Sequence, residues 1–319
     1  MPTKPAFPTT AFGKRFLFVT GKGGVGKTLV SAAAARRSAH AGQRTLWVEM
    51  SESPRGGQLF AGFEPRYEIA PIEKNLWGMN LRVQPAIEEY LAVFFKIPLL
   101  SRLISRNTLF QVLTAAIPGL DSLIPLGKIW YELGRKRRGK PYWDRIVLDA
   151  PSTGHALAML RLPGTVLGLL QSGNLAERTR EIDEVLNDRK LTSLVVVTTL
   201  EELPVDESVE LVKEVHEKTP YRIDSIICNA VLPDIGMADR SRYEQWLAGG
   251  SDDRLTSVLG AAQPGLHRHL VRLDARRQNQ KVLLPRLEQL AVPIHLVPWV
   301  PDGNDQHRFE ALTTGQETS

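Results

Sequence analysis

The densest chemistry in the chain lies in Gly21-Lys22-Gly23-Gly24-Val25-Gly26-Lys27-Thr28. This run satisfies G-x-x-x-x-G-K-[ST], the spacing with which a loop wraps phosphate groups. Glycines at 21, 23, 24 and 26 free the backbone to turn successive N–H groups inward, that of Val25 included. Lys27 is placed to neutralise the terminal phosphates, and the Thr28 hydroxyl to take one magnesium position. Leu29 follows in the first helical turn, where the helix N-terminus adds partial positive charge. A metal site of this kind also needs a carboxylate. Asp149, at the end of the apolar run Arg145–Leu148, can hold a magnesium-bound water beside Thr28. The implied cofactors are ATP or ADP with Mg2+.

These residues need rigid elements behind them. Phe16–Val19, Thr45–Val48, Arg145–Leu148, Leu194–Thr198, Ser225–Cys228 and Ile294–Val297 are short, branched and apolar on both faces. Such strands suit a sheet covered by helices on both sides. Between them Thr28–Ala41, Val205–Lys218 and Leu270–Leu290 read as helices, the first stopped by Gly42. The expected fold is α/β, a doubly wound and mostly parallel sheet of the P-loop NTPase type with a helical insertion. One domain is expected over 13–312, with 1–12 and 313–319 disordered. Within it, 87–133 lacks a clear strand but is rich in apolar residues such as Phe94, Phe95, Leu99 and Leu100. It is expected to be a helical subdomain that either packs down on the sheet or offers an apolar surface to a client.

Length and composition exclude several classes. The 319 residues are 43% apolar, enough for a sizeable core, and no apolar run is long enough to cross a bilayer. The N-terminus has no secretory h-region, so a cytoplasmic location is expected, with peripheral attachment to a membrane left open. The lone Cys228 can form neither an internal disulfide nor a thiolate metal cage. The formal charge of +5 is small, and part of it comes from Arg135-Lys136-Arg137-Arg138-Gly139-Lys140. That cluster is either a solvated loop or a contact for an anionic partner. No aromatic residue interleaves with it, so specific nucleic-acid binding is not expected.

From Val147 to Pro163 the chain reads Val-Leu-Asp-Ala-Pro-Ser-Thr-Gly-His-Ala-Leu and, further on, Leu-Arg-Leu-Pro. This resembles the switch II segment of the ArsA-type ATPases, D-T-A-P-T-G-H-T-L followed by L-x-L-P. Ile117–Asp121 is similar to the family's P-G-x-D-E, and Glu201-Glu202-Leu203-Pro204 with Glu207 to its P-E-E-L-P-V-x-E. Ile226–Asn229 and Pro298–Pro301 fall where the family binds adenine, which implies Asn229, Pro298 and Trp299 as base contacts. Lys22 makes the phosphate loop the deviant form shared with MinD and the nitrogenase iron protein. The resemblance implies that Lys22 reaches a partner's nucleotide across a dimer, whereas the residue type alone fits a solvated lysine on a tight turn. It also implies a switch at Gly154 and His155: Gly154 would hinge the loop, and His155 is either an interface residue or a helix-start histidine.

Three departures shape the expectation. The switch I aspartate position is Ser51, so a catalytic carboxylate would have to come from Glu49, Glu52 or another chain. The family's thiolates are absent, leaving Leu266-His267-Arg268-His269-Leu270 in the corresponding stretch; arsenite binding and structural zinc are both disfavoured. The short span from Pro163 to Thr192 resembles compact bacterial members. The function implied is a Mg-ATP-binding dimeric switch ATPase acting on a hydrophobic or membrane-associated protein client. Its partner is either a second copy or a paralogous ATPase. The alternative is a pseudo-ATPase with a structural or regulatory role.

Overall fold

Among the described residues, seven parallel strands carry the nucleotide-site residues at one end of a single sheet, and an eighth, antiparallel strand closes one edge. The computed structural model describes residues 12–86, 120–233, 263–300 and 305–314, with isolated positions between 241 and 248. The strands are β1 (Phe16–Gly21), β2 (Thr45–Glu49), β3 (Ala70–Glu73), β4 (Leu76–Asn80), β5 (Lys136–Arg137), β6 (Lys140–Pro141), β7 (Arg145–Ser152), β8 (Thr192–Thr199), β9 (Ile223–Val231) and β10 (Ile294–Pro298). The large sheet has the order β10-β9-β8-β1-β7-β2-β4-β3, and β5 and β6 form a separate hairpin. The described helices are α1 (Lys27–His40), α2 (Gly56–Leu59), α3 (Leu120–Gly134), α4 (Thr153–Leu169), α5 (Asn174–Asn187), α6 (Glu202–Lys218), α7 (Gln263–Glu288) and α8 (Asp305–Thr314). The sheet is doubly wound, as the sequence predicts.

Alternation along each strand divides the core in two. Phe16, Phe18, Leu46, Val48, Ile146 and Leu148 face one layer, shared with α3 to α7. Leu17, Val19, Trp47 and Val147 face the other, shared with α1 and α8. Each large side chain removed from water in this way contributes roughly 2 kcal/mol. Helix α1 buries Val30 and the run Ala32–Ala35, and the small side chains bring its backbone close to β1 and β7. It ends where Gly42 takes φ 84°, with its N–H on the Ala39 carbonyl at 3.0 Å.

The junction of β1 with the phosphate loop has no room for a side chain. Gly21 has φ 151°, and a Cβ there would lie 1.9 Å from the backbone oxygen of Val197 on β8. The obstacle is a central strand, which cannot swing aside as a flexible side chain could. Gly21→Ala should therefore destabilise the chain by about 3 kcal/mol, read as a lower urea midpoint. An unchanged midpoint would show that the loop can rebuild around the methyl group.

Several elements depart from the sequence reading. Strands β3 and β4 were not foreseen: Pro71 and Gly78 interrupt their apolar pattern, and Asn75 makes the turn between them at φ 64°. The basic run after Gly134 is the β5–β6 hairpin, not an open loop. Phe12 is buried, and α8 carries Leu312 and Thr313 into the core, so order reaches beyond the 13–312 limits. Phe309 explains that anchoring, since it stacks edge-on with Phe60 at 4.9 Å. Of the expected helical subdomain, α3 packs Leu123, Ile124, Leu126, Ile129 and Leu133 onto the sheet; 87–119 lies outside the described residues. No described helix is long and apolar enough to cross a membrane.

Candidate nucleotide site

The phosphate loop sits at the sheet's centre because β1 lies between β7 and β8. Open α/β sheets bind ligands at this carboxyl end of the strands. Gly24 and Gly26 hold φ 88° and 89°, and Gly26 is the N-cap of α1 with no side-chain capping bond. The first N–H groups of α1 are therefore left to an anion. A Cβ at Gly26 would come within 2.3 Å of the Asn229 amide nitrogen, which itself donates to the Val25 carbonyl at 2.9 Å. Asn229 thus braces the loop from the end of β9. Asn229 is also the residue that the resemblance implies as a base contact.

The loop opens on a cleft of about 1310 Å³. Its walls include Lys22 to Leu29, the Glu201–Pro204 turn, Asn229, Pro298 and Trp299. Trp299 is fixed there by its N–H on the Val231 carbonyl at 2.8 Å. Sequence reasoning missed the cationic wall. Arg55 and Arg308 line the cleft, as do Arg272 and Arg276 on α7. The spacing of Arg272 and Arg276, four residues apart on one helical face, was the one available signal for that pair.

Asp149 lies buried within β7, three residues before its end and 5% exposed, and its Oδ2 accepts the Thr28 hydroxyl at 2.6 Å. Its other oxygen, Oδ1, is buried with no hydrogen-bond partner. Burial, joined by the nearby charge of Glu49, pushes this carboxyl up to about 7, against the pull of Thr28 and Lys27. An unpartnered carboxylate oxygen beside a threonine hydroxyl fits a hydrated divalent cation. Lys27 rests its ammonium on the Lys22 carbonyl at 3.0 Å. Burial pulls its pKa below the ordinary lysine value, while Asp149 and Glu207 pull it back.

Lys22 stands early in the loop, its ammonium paired with Glu207 of α6. Glu207 also accepts the Thr153 hydroxyl at 3.0 Å, so one carboxylate joins the phosphate loop to the start of α4. Both charges at Glu207's door, Lys22 above all, hold its carboxyl below the usual glutamate value. The switch II segment is tied a second time, by the Thr20 hydroxyl on the Pro151 carbonyl at 2.8 Å. Gly154 is not in a loop: α4 begins at Thr153 and includes it, without the positive φ that a glycine hinge exploits. His155 is exposed in the same turn.

The switch I candidates separate. Glu49 is buried and accepts the N–H groups of Arg55 at 2.6 Å and Gly56 at 3.0 Å. It organises the turn into α2, and desolvation raises its pKa in spite of those bonds. Glu52 is exposed. Asn80 clamps the backbone of Ser51, taking its N–H at 3.3 Å and donating to its carbonyl at 3.0 Å. The Ser51 hydroxyl accepts the Ser53 N–H at 3.1 Å.

Comparisons with known proteins agree with this geometry. The family model described as anion-transporting ATPase, ArsA type, matches residues 14–175 and 171–252. ATPase BagA of Mycobacterium tuberculosis is 29% identical over 312 residues, covering 94% of this chain and 91% of that protein. ATPase GET3 of Zygosaccharomyces rouxii is 24% identical over 303 residues, 89% of this chain and 83% of its own. The arsenical pump-driving ATPase of Escherichia coli is 30% identical over 243 residues, 68% of this chain but only 40% of that longer protein. With the phosphate loop, the Thr28–Asp149 pair and the family match all in one sheet, the chain belongs to the ArsA family of nucleotide-binding ATPases.

Proposed function

We propose that this chain is a Mg-ATP-dependent dimeric switch that couples nucleotide state to the handling of a hydrophobic or membrane-associated protein client. The observation carrying the nucleotide part is the Thr28–Asp149 pair, whose buried Oδ1 has no partner, beside Lys27. Thr28 and Asp149 would hold magnesium, which when bound supplies positive charge to the phosphate oxygens. The chain's own residues do the rest. Loop N–H groups and the start of α1 orient the phosphates, and Lys27 neutralises charge that grows on them. Asn229, Pro298 and Trp299 form the wall on the base side.

Lys22 supports a two-chain reading. It is half-buried at the cleft and held by Glu207, a tie that solvent weakens and a second chain's nucleotide can replace. The partner is a second copy or a paralogous ATPase. The same exchange would free Glu207 and Thr153, passing a signal to α4 and the switch II residues Gly154 and His155. The client reading rests on the apolar sequence of 87–119, and cytoplasmic work at a membrane surface accords with it.

One observation favours a second reading, a pseudo-ATPase. Glu49 is committed to backbone N–H groups and position 51 carries a hydroxyl, so neither supplies a ready base. Steady-state Mg-ATP hydrolysis by the purified chain and by Ser51→Asp separates the two. The Asn80 clamp keeps residue 51 in place, and a general base is worth roughly 10²-fold or more. The switch-ATPase reading expects measurable turnover in the wild type and at least a tenfold gain in Ser51→Asp. Tight Mg-ATP binding with no turnover in either protein would leave the pseudo-ATPase.

A further inference from the structure

Because the sheet is parallel, the starts of β1, β2, β4, β7, β8 and β9 all lie at the end away from the phosphate loop. Basic residues precede most of them. Lys74 stands before β4, Arg189 and Lys190 before β8, and Arg222 before β9, all exposed. The β5–β6 hairpin, immediately before β7, adds Lys136, Arg137, Arg138 and Lys140, also exposed.

The hairpin is a built feature. Arg138 and Gly139 form its two-residue turn with φ 52° and 79°, both left-handed, the geometry that suits a tight hairpin. Its base is pinned where the Tyr142 N–H meets the Arg135 carbonyl at 2.8 Å. Arg135 in turn bonds the buried Glu132 at 2.8 Å, and Trp143 donates to that same carboxylate at 2.9 Å. On this rigid ribbon Arg137 stands directly opposite Lys140. Like charges facing each other across a strand pair are destabilising. Among the described residues no carboxylate pairs with any of the hairpin's four cations. The carboxylates adjoining these cations or those at the other strand starts are engaged: Asp144 takes the Arg44 N–H, Glu73 pairs with Arg36, Asp188 caps the 188–191 turn, and Asp224 pairs with Lys14.

We propose that this end of the sheet, led by the β5–β6 hairpin, is a docking surface for an anionic lipid bilayer. The positions from β9 to β4 span five strand intervals, roughly 24 Å at strand spacing, and a charged plane matches such a spread better than a single ligand does. The rings at the base of the hairpin, Trp77, Tyr142 and Trp143, are covered against nucleic-acid bases. Arg44 lies over Trp77 at 4.1 Å and over Tyr142 at 4.3 Å, and Arg135 covers Tyr142 at 4.2 Å. The cleft sits at the opposite end, so docking leaves it open. The inference is independent of ATP turnover, and a failure of either reading leaves the other standing.

The test is flotation of the full chain with vesicles of phosphatidylcholine alone, or with one-third phosphatidylglycerol. Binding is expected only to the anionic vesicles, and it should fall as ionic strength rises. The combined variant Lys136→Glu, Arg137→Glu, Arg138→Glu, Lys140→Glu should bind them at least about tenfold more weakly, with Mg-ATP binding unchanged as the fold control. Should that variant misfold, Arg189→Gln with Lys190→Gln gives a second reading, a smaller but definite loss. Exchanging Lys136 and Lys140 for Arg should preserve binding. Equal flotation with neutral vesicles, no flotation with either, or full retention in the charge-reversed protein would overturn the proposal. So would displacement of the chain from anionic vesicles by a short RNA duplex at lower phosphate concentration.

Discussion

Lys27→Ala is expected to lower Mg-ATP turnover by on the order of 10²–10³-fold and to abolish thermal stabilisation by ATP, while the nucleotide-free chain melts almost unchanged. The two halves of this expectation have separate causes. In the free chain the Lys27 ammonium satisfies only the Lys22 carbonyl, at 3.0 Å, so removing it gives up one hydrogen bond of a half-exposed loop. Its stability cost is about 1 kcal/mol or less. With nucleotide present, the same ammonium is the loop's own charge against the terminal phosphates, in a cleft where burial already disfavours the cation. The protein has therefore accepted a cost in the free state that only an anion repays. Turnover measured against ATP concentration, with melting curves alongside, checks both halves. Equal rates in the two proteins would mean that the hydrolysis is not this site's. A large fall in the melting temperature of the free variant would instead make Lys27 a structural residue.

What could be read from the sequence was what is local. The phosphate loop is eight consecutive residues between a strand and a helix, and its glycine angles follow from that spacing. The central strands were legible because both faces are buried, so Phe16–Val19 and Leu194–Val197 are apolar throughout. Strand β4 was not, because Gly78 leaves room for Phe63 and Ile72: a Cβ there would lie 2.6 Å from either side chain. The pairing of Lys22 with Glu207 joins residues 185 apart, and no pattern in either segment announces it. Glu49 misled for a similar reason. Alternation along an extended chain puts it on the face of Ser51, but the chain turns after Met50, and the carboxylate meets the N–H groups of Arg55 and Gly56 instead. The assignment of Gly154 as a hinge failed on a boundary, since α4 starts one residue before it. Motif chemistry survives translation into three dimensions; roles inferred for lone residues near a turn depend on where the turn falls.

Asp149→Asn should act in opposite directions on the free and the liganded protein. In the free chain, desolvation first and then the charge of Glu49 lift the Asp149 carboxyl to about 7. The folded value lies above the unfolded one, near 4. The contribution to stability is thus fully present below about pH 4 and is lost as pH rises through 7. At pH 8 the wild type holds an ionised carboxylate whose Oδ1 has nothing to bond, and Asn removes that charge while keeping an acceptor for Thr28. The nucleotide-free variant should be more stable at pH 8, by on the order of 2–4 kcal/mol, and level with the wild type only near pH 4. Liganded, the sign reverses. Binding of a divalent cation requires the ionised form, so the wild type's magnesium-dependent affinity for ATP should strengthen from pH 6 to pH 8, a proton being released on binding. The variant should lose at least about 100-fold of that affinity and show no such pH dependence. Urea unfolding at the two pH values and calorimetry in two buffers of different ionisation enthalpy read these quantities separately. A variant that is less stable at pH 8 would place the carboxylate in a structural role. A wild-type magnesium affinity that is flat across pH 6–8 would mean that Asp149 is already ionised, with its partner supplied by the chain.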